Sequence, residues 1–414
     1  MVGSMLTVDE ALELVLTRAR PLPPRRLAFG EAAGCPLAED VAADLDLPPF
    51  RKALMDGYAV RAADVTGASC RLRLGETIPA GQMPGRPLAI GEAALIMTGA
   101  PLPEGADAVV MREQARPLPG GYVALEPARP IAPGLNWMPQ GREMRSGEVV
   151  LRRGERLNPA RIGLLAAVGR PEVTVTPRPR VIVVPTGDEL VEPDRVPGPG
   201  QIRNSNAAML RALARDCGAE SEAAPIAPDE PDALRAALES GLDRADVLLV
   251  AGGVSAGDRD LVPAALESLG VACLFHKVSM KPGKPLWFGA GPDRGAGEPG
   301  PLVFGLPGNP VSGIVAFLLF VLPALRRLQG SNHQQSFPRP VSLSSPFTHR
   351  GPRPTYHPAR LIARTGEGSP WVETMDWAGS ADLRTVAGAD GFAIFPAGDY
   401  SYDEGHVIGF LSLP

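Results

Sequence analysis

PLVFGLPGNPVSGIVAFLLFVL, Pro301 to Leu322, reads as a buried strand, a Gly/Pro turn and an apolar helix in immediate succession. Its strand is continuously apolar rather than alternating, as expected of a strand covered on both faces within a parallel sheet. Two units of the same kind precede it. RVIVVPTGDEL, Arg180 to Leu190, is an apolar strand ending in a Thr-Gly turn with carboxylates, and NSNAAMLRALARDCGA follows. That second stretch is a capped helix with Met209, Leu210 and Leu213 on one face and Gly218 just past its end. DVLLVAGGVSAGDRD, Asp246 to Asp260, is another buried strand running into a Gly-rich loop, and the helix LVPAALESLG follows. Three such units predict a parallel α/β sheet domain over 178–330.

Outward from this domain the pattern changes. Between 46 and 140, short alternating segments such as TIPAG, AVVMREQ and GYVALE are separated by Pro and Gly turns, which predicts a β-rich module. Asn158-Pro159 can start a helix with proline at its first position. The N-terminal segment reads as a short amphipathic helix capped near Thr7, with acidic residues where a secretory leader needs basic ones. Pairing these two helices would make 1–45 and 141–177 one discontinuous domain, with the β module inserted into it. From 331 to 414, VSLSSPF, WVETMDWAG, GFAIFPAG and HVIGFLSL predict a compact β-barrel or sandwich. The longest apolar run, Ile314 to Leu322, stops at Pro323, short of the roughly 20 residues that span a bilayer, and reads as a buried core helix.

Composition narrows the function. An apolar content of 44% is that of a globular chain rather than a disordered one, and a net charge of −5 offers no excess of cations to neutralise nucleic-acid phosphates. Cys35, Cys70, Cys217 and Cys273 form no C-x-x-C pair, which suits a reducing cytoplasm rather than a zinc ribbon or a disulfide framework. The five histidines show no H-E-x-x-H spacing, and there is no G-x-S-x-G elbow, GxGxxG or Walker motif.

The remaining chemistry lies at the strand ends. Ligands of open parallel sheets bind beyond the carboxyl ends of the strands. There this chain places Thr186, Gly187, Asp188 and Glu189, then Gly252, Gly253, Ser255 and Asp260, then Pro307, Gly308, Asn309, Pro310 and Ser312. Glycines admit an anion to backbone amides, and clustered carboxylates bind hard cations such as Mg²⁺. The chain has only four lysines among 41 basic residues, yet Lys277, Lys281 and Lys284 fall within eight positions, HKVSMKPGK. Lysine is a compact point charge where arginine is a wide fork, so Lys281 and Lys284 suit a crowded oxyanion site, while Lys277 reads as surface.

MDGYAV (Met55 to Val60), IPAG (Ile78 to Gly81), IMTGAPLPEGADAVV (Ile96 to Val110), TGDEL, GQIRNSN, GGVSAGDRD, KPGKP and GLPGNPVS occur together and in order. On these motifs the chain resembles the molybdopterin molybdenumtransferase family, similar to the E-domain of gephyrin, over nearly its whole length. The resemblance implies a cytoplasmic homodimer. Each protomer would hold a discontinuous dimerisation domain, an inserted β domain, an α/β domain like molybdopterin adenylyltransferase and a C-terminal β-barrel. It further implies insertion of molybdate into adenylylated molybdopterin, with Mg²⁺-dependent cleavage of the phosphoanhydride and release of AMP. Asp56, Glu189, Asp229, Asp260, Lys281 and Lys284 would be catalytic, with Glu189 and Asp260 on the metal. Thr98 and Gly99 of the β module, Arg353 of PRPTYH and Ser380 of GSADL would join the loop residues in binding substrate. Molybdopterin adenylyltransferase and molybdoenzyme chaperones are the implied partners, with no nucleic acid and no membrane.

Two stretches depart from the family pattern. Arg51-Lys52-Ala53-Leu54 stands where an acidic and two polar residues usually precede MDGY, and NWMPQGREM carries Met138 and Glu143 where arginine and aspartate are usual. These departures leave room for a relative with altered oxyanion preference, such as tungstate, or for a non-catalytic pterin-binding scaffold.

Overall fold

The computed structural model describes residues 5–254, 261–295, 299–330, 338–363 and 370–414. Two compact units emerge. One comprises Met1–Leu27, Ala32–Ala38 and Thr174–Pro414; the other comprises Ala28–Glu31 and Glu39–Val173.

The larger unit is built on a six-stranded sheet in the order Glu220–Ala223, Arg180–Pro185, Val247–Ala251, Leu302–Leu306, Trp287–Ala290, Ala272–His276. The first four strands are parallel, and Val181–Val184, Val247–Val250 and Leu302–Leu306 are buried throughout, as continuous apolar runs require. The last two strands form a hairpin antiparallel to their neighbours, so the sheet is mixed rather than wholly parallel. The lysine-bearing segment is the connection of that hairpin.

The helix that follows Pro310 does not end at Pro323. It runs from Pro310 to Leu328, and Phe317–Val321 form a π-helical turn ahead of the proline. Pro323 has no N–H to donate and its ring crowds the carbonyl four residues back, and a widened turn accommodates both. By length and composition this helix could cross a membrane, but most of it is buried inside the unit.

The N-terminal helix Val8–Arg18 is capped at Thr7, whose hydroxyl accepts the Glu10 N–H at 3.2 Å. Its apolar face, Ala11 and Val15, joins the core of the α/β unit with Leu325 and Leu328. The expected partner, helix Pro159–Ala167, lies in the other unit. Ala11 and Val15 are four residues apart and present a narrow stripe, which the long apolar helix covers. The C-terminal segment closes into a five-stranded barrel around Val341, Ala359, Phe395 and Phe410.

The smaller unit carries a six-stranded sheet in the order Ala108–Met111, Gly57–Val60, Glu92–Ile96, Cys70–Ile78, Tyr122–Leu125, Ala115–Leu118. The Gly57–Val60 strand is buried on both faces: Ala59 enters one apolar cluster and Tyr58 and Val60 the other. Gly57 of MDGY is required sterically, because any side chain there would strike the Val110 carbonyl. Glu92 is buried between Arg86, at 2.6 and 2.7 Å, and Arg73, at 2.9 Å. The Arg86 bonds hold its carboxyl down to about 2.

Candidate active site

Pro185, Ala251 and Leu306 are in register, so three parallel strands end side by side. Just beyond them the Thr186 N–H bonds to the Ala251 carbonyl at 3.1 Å, and the Gly252 N–H to the Leu306 carbonyl at 3.1 Å. Gly252 and Gly253 are both left-handed, and a Cβ on either would come within 2.7 Å of the Thr186 carbonyl or of Val262 respectively. The glycine pair is therefore demanded by close packing at the strand end. Thr186 is only 3% exposed, and its hydroxyl has no partner among the described residues.

The carboxylates gather beside this edge. Asp188 accepts the Asp229 N–H at 3.0 Å, which ties the TGDEL turn to the loop ahead of helix Pro231–Arg244. Glu189 folds back over Gly187, where a Cβ would strike its carboxylate. Asp188, Glu189 and Asp229 are exposed. Ser255 and Asp260 lie outside the described residues. Among the described residues no three acidic, His or Cys side chains converge on a point. Mg²⁺ keeps several waters and is commonly held by one or two carboxylates plus substrate phosphates. Hard oxygen donors such as Glu189 match it in kind.

The lysine loop is rigid in backbone and free in side chain. Val278, Met280 and Leu286 are fully buried, while Lys281 and Lys284 are exposed. The Val278 N–H bonds to the Lys284 carbonyl at 3.0 Å, the Lys281 N–H to the Pro354 carbonyl at 2.9 Å, and the Tyr356 N–H to the Lys281 carbonyl at 2.8 Å. Neither ammonium forms a hydrogen bond or ion pair among the described residues. Gly283 is left-handed, with a Cβ there only 2.7 Å from the Met280 methyl.

Two predicted residues, Arg353 and Ser312, meet this loop, and Asn309 and Ser380 meet each other. Arg353 donates to the Met280 carbonyl at 3.1 Å. Ser312 is buried at the start of the long helix, and its carbonyl lies beside Gly283. Asn309 donates to the Ser380 hydroxyl at 2.8 Å, and the Val311 N–H bonds to the Ser380 carbonyl at 3.1 Å. Pro307 and Pro310 frame the same turn. Asp56, Thr98 and Gly99 belong to the other unit. There one Asp56 oxygen accepts both the Thr98 hydroxyl, at 2.6 Å, and the Thr98 N–H, at 2.7 Å, and these bonds hold its carboxyl below the usual range.

Two candidates escaped the sequence reading. Lys277, which the sequence reads as surface, is half-buried and sits at φ 77°, a backbone region that non-glycine residues occupy at a cost and that clusters at functional sites. Nothing in the sequence signals this, since left-handed positions favour Gly or Asn. Asn206 donates to the Gly308 carbonyl at 2.7 Å and so fastens the GQIRNSN motif to the GLPGNPVS turn. Its place in a quoted motif was the available signal.

Glycine- and carboxylate-bearing strand ends with exposed lysines on a hydrogen-bonded loop of the same sheet suit the binding of phosphates and oxyanions. The comparisons make this specific. The MoeA N-terminal region (domain I and II) matches residues 6–169, a probable molybdopterin binding domain matches 182–327, and the MoeA C-terminal region (domain IV) matches 340–413. The molybdopterin molybdenumtransferase of Bacillus subtilis (strain 168) is 34% identical over 413 residues, covering 99% of this chain and 94% of that protein. The same enzyme of Staphylococcus aureus (strain Mu50) is 32% identical, with coverage of 98% and 95%. The crystal structure of the molybdopterin biosynthesis MoeA protein of Pyrococcus horikoshii superposes with a TM-score of 0.79 at 31% identity, covering 99% of this chain and all of that one. The chain belongs to the MoeA family of molybdenum cofactor biosynthesis.

Proposed function

We propose that the protein is a molybdenum insertase, which takes adenylylated molybdopterin and molybdate and yields molybdenum cofactor and AMP. The observation that carries this reading is the pair of exposed lysines, Lys281 and Lys284, whose ammonium groups have no hydrogen bond or ion pair among the described residues, on a loop pinned to Pro354 and Tyr356. Two point charges carried by a hydrogen-bonded backbone on the carboxyl-end side of the sheet suit a dianionic oxyanion and a phosphoanhydride together.

The residues divide the work. Lys281 and Lys284 bind and orient the anionic groups, with Arg353 and Ser380 bounding the oxyanion side. The Asn309–Ser380 bond fixes the turn at Gly308 against the barrel-side segment. Glu189 and Asp260 would hold Mg²⁺, which when bound supplies charge neutralisation to the phosphate oxygens. Within the β unit, Asp56 is the acidic group of this assignment, and Thr98 orients it. The substrate's own dithiolene provides the sulfur ligands to molybdenum, so no cysteine is needed in these motifs. A cytoplasmic homodimer goes with this assignment.

The test mixes purified protein with adenylylated molybdopterin, Mg²⁺ and molybdate and follows AMP. Molybdate-dependent AMP release is expected, and its absence with pterin binding intact would overturn the assignment.

A further inference from the structure

Lys52 and Glu143 lie 91 residues apart in sequence and meet in space. Lys52–Ala53 forms an antiparallel pair with Trp137–Met138, so Lys52 faces Met138 and Ala53 faces Trp137. The Lys52 ammonium lies 3.1 Å from the Glu143 carboxylate. Glu143 is itself anchored, because its N–H bonds to the Leu47 carbonyl at 2.8 Å. On the opposite face of the short strand, the Arg51 guanidinium lies 5.7 Å from the Trp137 ring centroid and donates to the Pro103 and Ala106 carbonyls at 3.3 Å.

The other edge of this strand leads to the Asp56–Thr98 pair. The Ala53 N–H bonds to the Ala100 carbonyl, the Gly99 N–H to the Ala53 carbonyl, and the Leu102 N–H to the Arg51 carbonyl, at 2.7 to 2.9 Å. Thr98 precedes Gly99 directly, and Asp56 follows Ala53 by three residues. The seat of this two-residue strand therefore sets where the Thr98 donors meet the Asp56 oxygen.

We propose that Lys52 and Glu143 are a matched pair of positioning residues: their contact seats the Arg51–Ala53 segment and thereby aligns Asp56 with Thr98. The pair is half-exposed and contributes little to global stability. Its effect is local, on a geometry in which small displacements of a reacting group are costly.

The inference rests on the insertase reading for its kinetic arm only. Lys52→Met and Glu143→Gln are each expected to lower kcat for AMP release about tenfold with KM and Tm nearly unchanged. The reversed pair, Lys52→Glu with Glu143→Lys, is expected to recover most of that loss. A reversed pair no better than the single variants, or single variants with wild-type kcat, would overturn the proposal. A second arm needs no substrate: the Asp56 carboxyl is titrated by carbon-detected NMR in the wild type and in Glu143→Gln. Removing a nearby negative charge would by itself lower the Asp56 pKa, whereas loosening the Thr98 bonds raises it. A rise is expected, and a fall or no change would refute positioning even if the wild type released no AMP.

Discussion

The lysines of the two units are held in opposite ways. Lys281 and Lys284 have a hydrogen-bonded backbone and ammonium groups without a partner among the described residues, whereas Lys52 has its ammonium engaged by Glu143. A free cation on a rigid loop is available to a ligand, and a paired cation on a short strand is available to the fold. The same split runs through the carboxylates. Glu92 is buried and satisfied by two arginines, while Glu189 stands exposed just beyond its strand. Side-chain chemistry alone does not separate binding groups from structural ones; engagement does.

The hardest test of that contrast removes a free cation. Lys281→Ala or Lys284→Ala is expected to lower AMP release about 10²–10³-fold, the range for loss of one preorganised anion donor, with Tm within about 2 °C of wild type. Lys284→Arg keeps the charge and widens the head, and is expected to fall between the two. Wild-type turnover in Lys284→Arg, followed by AMP release, would remove the point-charge argument.

The converse removes an engaged carboxylate. Glu92→Ala is expected to destabilise the β unit by about 2 kcal/mol in a denaturant melt. That is less than the 3–5 kcal/mol typical of breaking a fully buried pair, because Arg73 and Arg86 are more than 45% exposed and regain water. The pH dependence follows from its carboxyl, lowered from 4.5 to about 2. A depressed carboxylate contributes stability that is fully present above its unfolded value and is lost as pH falls through its folded one. The midpoint of the wild type should therefore decline between about pH 4.5 and 2, and that of Glu92→Gln should decline less over the same window.

How much of this was readable in the sequence depends on the range of the interaction. RVIVVP, DVLLVA and PLVFGL announce buried strands because burial on both faces leaves an unbroken apolar run. Asn158 and Thr7 announce helix starts because capping is local. The reversal of Trp287–Ala290 was hidden, since strand direction depends on which neighbour a strand meets. Pro323 misled, because a proline usually stops a helix and the π-helical turn that accommodates it has no sequence mark. The motifs located the lysine loop, Asn309 and Ser380, but the Asn309–Ser380 bond joins residues 71 apart and could not be read. The Lys52–Glu143 contact was visible only as two unrelated oddities for the same reason.

That long-range bond gives the next measurement. Asn309→Ala removes one hydrogen bond between the helix-start turn and the Ser380 segment, so about 1 kcal/mol of stability should be lost by denaturant melt. AMP release should fall several-fold, because the Gly308 turn loses its brace. If stability falls and turnover does not, the bond belongs with Glu92 as structure and not with the lysine loop as site.

The smallest effect should come from Thr7, and it marks the other end of the comparison. Thr7 and Glu10 form a reciprocal capping box: the Thr7 hydroxyl accepts the Glu10 N–H, and the Glu10 carboxylate accepts the Thr7 N–H at 2.8 Å. The helix it starts delivers Ala11 and Val15 to the α/β core, so the cap acts on stability through packing alone. Thr7→Ala should cost up to about 1 kcal/mol, with AMP release per folded molecule unchanged. A loss of turnover larger than the loss of folded protein would mean that the N-terminal helix also sets the lysine loop. The route for such coupling is the Ser279 N–H, which bonds to the Leu6 carbonyl at 2.8 Å, two residues before Lys281.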